Sequence, residues 1–332
     1  MSSPVLLARR SLSALLLAGL ASRALAQGAG GGDPLPSWRA GPRKQAILDF
    51  LSATMTEGGP DFVPASERLA VFDNDGTLWV EQPMYTQLTF ALERVHALAP
   101  QHPEWTTREP FRSVLAGDHA GLARAGEHGL IEIVMATHTG MSPDDFHRIV
   151  EDWLGRARHP RFHRPYTELV FQPMLELLAL LRARGFATCI VSGGTVEFMR
   201  PWTERIYGIP PQNVVGTTFR MRFENGRLTR LPEVEWVDDG PGKPVSISRF
   251  LGRLPQAAFG NSDGDYEMLE YVTGGSGRRL GMIVHHDDAA REYAYDRQSH
   301  SGRLDRGLND AAGRGWHLIS MKDDWARIFP HD

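Results

Sequence analysis

The stretch that most constrains this chain is Leu69-Ala-Val-Phe-Asp73-Asn-Asp75-Gly-Thr77-Leu-Trp79. Its first four residues read as a short strand buried on both faces, because the apolar run is continuous rather than alternating. Asp-Asn-Asp-Gly-Thr ends it abruptly, since unpaired carboxylates do not belong inside a buried strand. Two carboxylates one residue apart, at the carboxyl end of a parallel strand, stand where open α/β sheets bind their ligands. Asp73 could attack an electrophile as a nucleophile, and Asp75 could move the proton. Their mutual repulsion favours a cation, and Mg²⁺ prefers oxygen donors. Gly76 allows the sharp turn and Thr77 adds a hydroxyl. Asp, Asn and Gly are also ordinary turn residues, so the rest of the chain has to decide between a polar turn and a site.

Around this stretch the pattern is one of alternating strands and helices. Residues 43–56 place Ile47, Phe50, Leu51 and Met55 on one helical face, and Gly58-Gly-Pro60 stops the helix. From about Trp79 to Pro165 only helices are expected, at 85–98, 122–134 and 146–154. Ser142-Pro143-Asp144-Asp145 provides a good helix start. The alternation then resumes, with a helix at 173–184, a strand at 187–191 ending in Ser192-Gly193-Gly194-Thr195, and a helix from Val196. Asn225-Gly226 lies between alternating segments and signals a hairpin. Further on come a helix from Lys243 to Leu251 and a strand at 256–259 leading into Gly260-Asn261-Ser262-Asp263-Gly264-Asp265. A helix at 266–271 and strands at 280–284 and 317–320 complete the series. Such repeated units imply a mostly parallel, doubly wound α/β sheet with helices on both faces.

Four polar clusters fall at strand ends or in loops beside them: Asp73/Asp75, Ser192/Gly193, Lys243, and Asn261 to Asp265. They complement one another chemically. A carboxylate attacking a phosphate needs its charge neutralised; hydroxyl and backbone N–H groups hold phosphate oxygens, and lysine or a metal supplies positive charge. With these residues the chain closely resembles the haloacid dehalogenase superfamily, specifically its phosphoserine-phosphatase-like members with a helical cap inserted after the first motif. Asp73-Asn-Asp75-Gly-Thr77 matches the first motif, Ile190-Val191-Ser192-Gly193 the second, and Lys243 the third by order and spacing.

The resemblance implies a Rossmann-like core at 41–79 and 166–332 with a helical cap at 80–165. It further implies that Asp73 becomes phosphorylated and that Asp75 protonates the leaving group and later activates water. Ser192, the Gly193 N–H, Thr77 and Lys243 would bind the phosphoryl group, and Lys243 would also orient Asp73. Mg²⁺ would be held by Asp73, Asp75 and the fourth motif. That motif departs from the family, because Asn261 stands where its first metal-binding acid is expected, with Asp265 matching the second. Asn261 and Asp265 are read as the metal set, with Asp263 as the alternative ligand.

These features predict a phosphomonoester hydrolase acting on a small organic phosphate. The alternatives are a phosphomutase or dehalogenase of the same superfamily, or a non-catalytic phosphate-ester binding protein. Residues 1–26 read as a signal peptide: Arg9-Arg10, an apolar run from Leu12 to Ala21, and Ala24-Leu25-Ala26 before Gln27. The paired arginines point to twin-arginine export, with a Sec signal as the alternative, and so to a periplasmic or secreted protein. The run is too short to span a bilayer, which takes about 20 residues. Residues 27–40 are expected to be a flexible linker. Removing Arg9, Arg10 and Arg23, and no acid, takes the net charge from −4 to −7. No basic patch remains to suggest a nucleic-acid partner. Cys189 is the only cysteine, which excludes an intrachain disulfide.

Glu81, Gln82 and Tyr85 follow the first motif and could contact substrate or pack the hinge of the insertion. His285-His286-Asp287-Asp288 has metal-ligand residue types and reads as a solvated loop, with the rim of the site as the alternative. Trp79 and Trp325 are expected to pack rather than to stack on a ligand.

Overall fold

The structure, a computed structural model, describes residues 32–332. The expected signal peptide and the start of the linker lie outside the described residues. Eight strands form one sheet: β1 (Leu69–Phe72), β2 (Ala187–Thr195), β3 (Val214–Glu224), β4 (Arg227–Trp236), β5 (Ala257–Gly260), β6 (Leu280–Asp287), β7 (Ala294–Tyr295) and β8 (His317–Ser320). Their order is β4-β3-β2-β1-β5-β6-β7, with β8 also paired to β6. Only the β3–β4 and β6–β7 pairings are antiparallel. The Asn225-Gly226 hairpin joins β3 to β4, with both turn residues at positive φ.

The chain winds outward from β1 in both directions, through β2 and β3 on one side and β5 and β6 on the other. The crevice beyond the carboxyl end of β1 is therefore the switch point at which sheets of this kind bind ligands. Register makes this concrete. Phe72 pairs with Ile190 of β2 and with Phe259 of β5. Asp73, Ser192 and Asn261 thus emerge from three adjacent strands within one or two residues of a common line. All four residues of β1 are buried, and Phe72 stacks on Phe259 with ring centroids 4.5 Å apart.

The helices are α1 (Pro42–Met55), α2 (Thr86–Leu98), α3 (Phe111–Leu115), α4 (His119–His138), α5 (Pro143–Arg156), α6 (Gln172–Ala183), α7 (Val196–Tyr207), α8 (Gly242–Ser246), α9 (Tyr266–Thr273), α10 (Arg306–Asp310) and α11 (Met321–Asp324). Helix α1 buries Ile47, Phe50, Leu51 and Thr54, a spacing that forms one face. Ser142 caps α5 by accepting from the Asp145 N–H at 3.1 Å, as its residue type suggests. Between β1 and β2 the described chain contains no strand. Helices α2 to α4 enclose a small apolar cluster of their own, including Val95, Trp105, Phe111 and Ile133. Helix α5 instead sends Phe146, Val150 and Trp153 into the main core. Among the described residues no helix is long and apolar enough to cross a membrane.

The sequence expectation of a flexible linker through residue 40 needs correction. Leu35 and Trp38 are buried, and the main chain around Trp38 bridges Trp325. Arg39 N–H donates to Asp324 O at 2.8 Å, and Ala326 N–H donates to Ser37 O at 2.8 Å. The Trp38 indole donates to Pro173 O and meets the Trp325 ring edge-on. Glycine content suggested a linker, but Trp38 finds one partner at Pro173 and another near the far end of the chain at Trp325. Trp38→Ala should therefore lower unfolding free energy by about 3–5 kcal/mol, the usual cost of emptying a buried tryptophan site, as measured by urea denaturation.

Candidate active site

At the carboxyl end of β1 the chain turns on its own hydrogen bonds: Gly76 N–H donates to Trp79 O at 2.9 Å and Leu78 N–H to Asn74 O at 2.8 Å. Surrounding side chains brace the turn. Tyr207 of α7 donates its hydroxyl to Asn74 Oδ1 at 3.1 Å. The buried Trp79 stacks on Trp202 and donates its indole N–H to Asp75 Oδ1 at 2.9 Å. Trp79 is therefore a packing residue, as expected, but it also orients a candidate acid.

Lys243 forms the centre of the site. Its Nζ donates to Asp73 Oδ1 at 2.7 Å and to Asp265 Oδ1 at 2.5 Å, and it is 1% exposed. Burial alone would disfavour the ammonium, but Asp265, Asp73 and Asp239 outweigh it and hold its pKa above the ordinary value. Burial and then the Asp265 carboxylate push Asp73 well up, and Lys243 pulls it back. Burial raises Asp75 to about 6, against the opposing hydrogen bonds from Trp79 and Asn74. Both acids are raised, and they differ in their partners. Asp73 is held by a cation, whereas Asp75 has a proton affinity near neutrality, suited to giving and taking a proton.

Ser192 leaves β2 beside this pair. The β2–β3 register slips between Ser192 and Thr195, so Gly193 and Gly194 bulge out of the ladder. The Gly194 N–H donates to Ser192 Oγ at 3.2 Å, which leaves the hydroxyl proton free for an anion. A residue that sequence reasoning missed fixes the end of this loop. Gln87 of α2 accepts from Thr195 N–H at 2.9 Å and donates to Thr195 Oγ1 at 2.8 Å. Its amide also approaches the buried His138 at 3.1 Å. Nothing in the sequence marks Gln87, because its partner lies 108 residues away.

The fourth cluster divides its roles. Asp265 Oδ2 accepts from the Asn261 and Ser262 N–H groups while Oδ1 takes Lys243, so this carboxylate holds the lysine and the loop. Asn261 Oδ1 accepts from Thr77 Oγ1 at 3.2 Å. Thr77 therefore reaches Asn261, although the family resemblance cast it as a phosphate contact. The Asp263 alternative is turned elsewhere. Its carboxylate accepts from the N–H groups of Asp305, Arg306 and Gly307 at the start of α10. The residues that could hold a cation offer oxygen alone: the Asp73 carboxylate, the Asp75 carbonyl and the Asn261 amide. That hard set with few carboxylates suits Mg²⁺, which usually completes its shell with water and substrate oxygens. Among the described residues no three His, Cys, Asp or Glu side chains converge as a metal cage.

The reading of His285 to Asp288 as a solvated loop also needs correction. The segment ends β6 and starts the turn to β7, and His286 and Asp288 are buried. His286 Nε2 lies 2.8 Å from Gly76 O, and a carbonyl can only accept, so this nitrogen carries the proton. Its Nδ1 faces Glu292, and the ring stacks on Tyr295 at 4.3 Å. His286 thus supports the acidic turn from behind, while His285 faces Asp287 and Asp296. Glu81, read as either a substrate contact or a hinge residue, is 1% exposed and bonds to Asn261 and Tyr295. Gln82 donates to Ser299 and Ser301, and the Tyr85 hydroxyl accepts from Gly302 N–H, so these two join the insertion to the 299–302 loop.

The model of the haloacid dehalogenase-like hydrolase family matches residues 70–270. No curated protein matches the chain. A conserved protein of unknown function from Anaerococcus prevotii is similar in structure. It is 14% identical over 84% of this chain and 91% of its own, with a TM-score of 0.56. A protein of unknown function from Bordetella pertussis is 17% identical over 76% of this chain and 98% of its own, with a TM-score of 0.50. A phosphoserine phosphohydrolase-like protein from Francisella tularensis is 17% identical over 74% of this chain and 98% of its own, with a TM-score of 0.38. At 14% and 17% identity, the likeness to the first two is one of fold.

The charge arrangement yields a direct expectation. In Lys243→Met, Asp73 and Asp265 lose their shared cation while remaining buried. The cost should be about 3–5 kcal/mol, as for other broken buried pairs, read from urea denaturation in EDTA at neutral pH.

Proposed function

The chain belongs to the haloacid dehalogenase-like hydrolase family, and from that premise we propose an exported, Mg²⁺-dependent phosphomonoester hydrolase acting on a small organic phosphate. The observation that carries this reading is the Lys243 bridge between Asp73 and Asp265, with Asp75 and Ser192 alongside. One Asp73 oxygen is tied to the lysine, which leaves the other for attack on phosphorus. The bond from phosphorus to the leaving oxygen breaks as the new one forms, and Asp75 delivers its proton to that oxygen. Asp75, now a carboxylate, then takes a proton from water as the water attacks phosphorus, releasing inorganic phosphate and regenerating Asp73. Ser192 and the bulged Gly193 N–H hold the phosphoryl oxygens throughout, as preorganised donors do in phosphoryl transfer. Asp73, the Asp75 carbonyl and Asn261 would hold Mg²⁺, which supplies charge neutralisation at the phosphoryl oxygens.

Asp75 separates this reading from a dehalogenase, which has no leaving oxygen to protonate. Export follows from residues 1–26 and stays part of the proposal, together with the choice of substrate. Purified protein should release phosphate from p-nitrophenyl phosphate in the presence of Mg²⁺. EDTA and, separately, Asp73→Asn should each abolish that release while circular dichroism shows the fold retained. Turnover persisting in Asp73→Asn would rule out the carboxylate nucleophile.

A further inference from the structure

Asn261 leaves the site one carboxylate short of the pattern that the family resemblance implies, and another carboxylate from a different part of the chain lies against it. Glu81 Oε1 accepts from Asn261 Nδ2 at 2.6 Å and from the Tyr295 hydroxyl at 2.8 Å. Both donors meet the same Glu81 oxygen, so it captures the NH₂ end of the amide. The carbonyl oxygen is thereby turned away, to where Thr77 Oγ1 donates to it at 3.2 Å. Without such a partner a buried asparagine could present either end, and its NH₂ would repel a cation.

The packing makes room for this contact from two sides. A Cβ at Gly76 would collide with both Asn261 Nδ2 and Glu81 Oε1, and a Cβ at Gly302 would collide with Glu81 Oε1. Both glycines also adopt positive φ, at 71° and 67°. The first motif and a loop some 220 residues later therefore both omit a side chain where the Glu81 carboxylate sits.

We infer that Glu81 is a positioning residue that holds the Asn261 amide with its oxygen toward the acidic turn, for a divalent cation. The inference rests on the metal-dependent reading above. Glu81→Gln tests it, because this variant keeps the size but can offer an NH₂ as readily as an oxygen, so it no longer fixes which end of the Asn261 amide it takes. The companion variant is Glu81→Gln/Asn261→Asp, which exchanges the two groups and puts at 261 a side chain with an oxygen at either end.

Mg²⁺ binding to each protein is measured by titration calorimetry, with melting in EDTA as the fold control. Glu81→Gln should bind Mg²⁺ about tenfold more weakly or worse, in the range found when a residue behind a metal ligand is altered, and the exchange variant should recover most of that loss. Binding by Glu81→Gln within about twofold of wild type would reduce Glu81 to packing and overturn the inference. Should Glu81→Gln not fold, the exchange variant decides alone. Wild-type-like binding supports the inference, and a folded exchange variant that does not bind overturns it. Wild-type protein that binds no Mg²⁺ would overturn the metal-dependent reading itself, a result distinct from the failure of Glu81 alone.

Discussion

The structure depends on one buried ammonium. Lys243 sits with almost no exposure between Asp73 at the end of β1 and Asp265 beyond β5. Each of these ions costs several kcal/mol to remove from water, and the arrangement is tolerable only because the three are in contact and further hydrogen bonded. Asp265 illustrates the requirement, since its second oxygen takes two backbone N–H groups. The lysine therefore ties α8 to two adjacent strand ends and opposes the burial that favours a neutral Asp73. Stability and chemistry share this contact, so a substitution there should disturb both.

Around the ion cluster, neutral groups position the acidic turn. Asn74 is held by Tyr207, Asp75 by Trp79, and the Gly76 carbonyl by His286. These partners come from α7, from the turn itself and from β6, so groups from both flanks of β1 converge on three consecutive residues. Such bracing limits the conformations open to Asp73 and Asp75 before any ligand arrives, which is how a site lowers the reorganisation needed during reaction. The helical insertion joins the same network through Gln87, which grips Thr195 just after the bulged glycines. Movement of α2 would thus be felt directly by the loop that carries Ser192.

Much of this was legible from residue order. The continuous apolar run of β1, the Ser-Pro-Asp-Asp start of α5 and the Asn-Gly hairpin are local signals, and each element formed within a few residues of its expected place. Strand β6 ran three residues beyond its apolar run, because His286 alternates inward while His285 and Asp287 do not. Residue type alone could not reveal that, since the partner of His286 is the Gly76 carbonyl some 210 residues earlier. The segment around Trp38 was misjudged for the same reason, its partners Pro173 and Trp325 lying far along the chain.

By itself, then, the sequence determined which residues carry the chemistry: two acids after a buried strand, a serine after another, a lysine, and an acidic loop. Those identities are local, because a hydroxyl or a carboxylate is what it is wherever the chain takes it. Only the tertiary structure decided how they are spent. It gave Lys243 to both Asp73 and Asp265, turned Asp263 away to the start of α10, and set Glu81 against Asn261 between two glycines. Each of these is a pairing across tens to hundreds of residues, selected because a buried charge or polar group must find a partner and the fold determines which one is within reach.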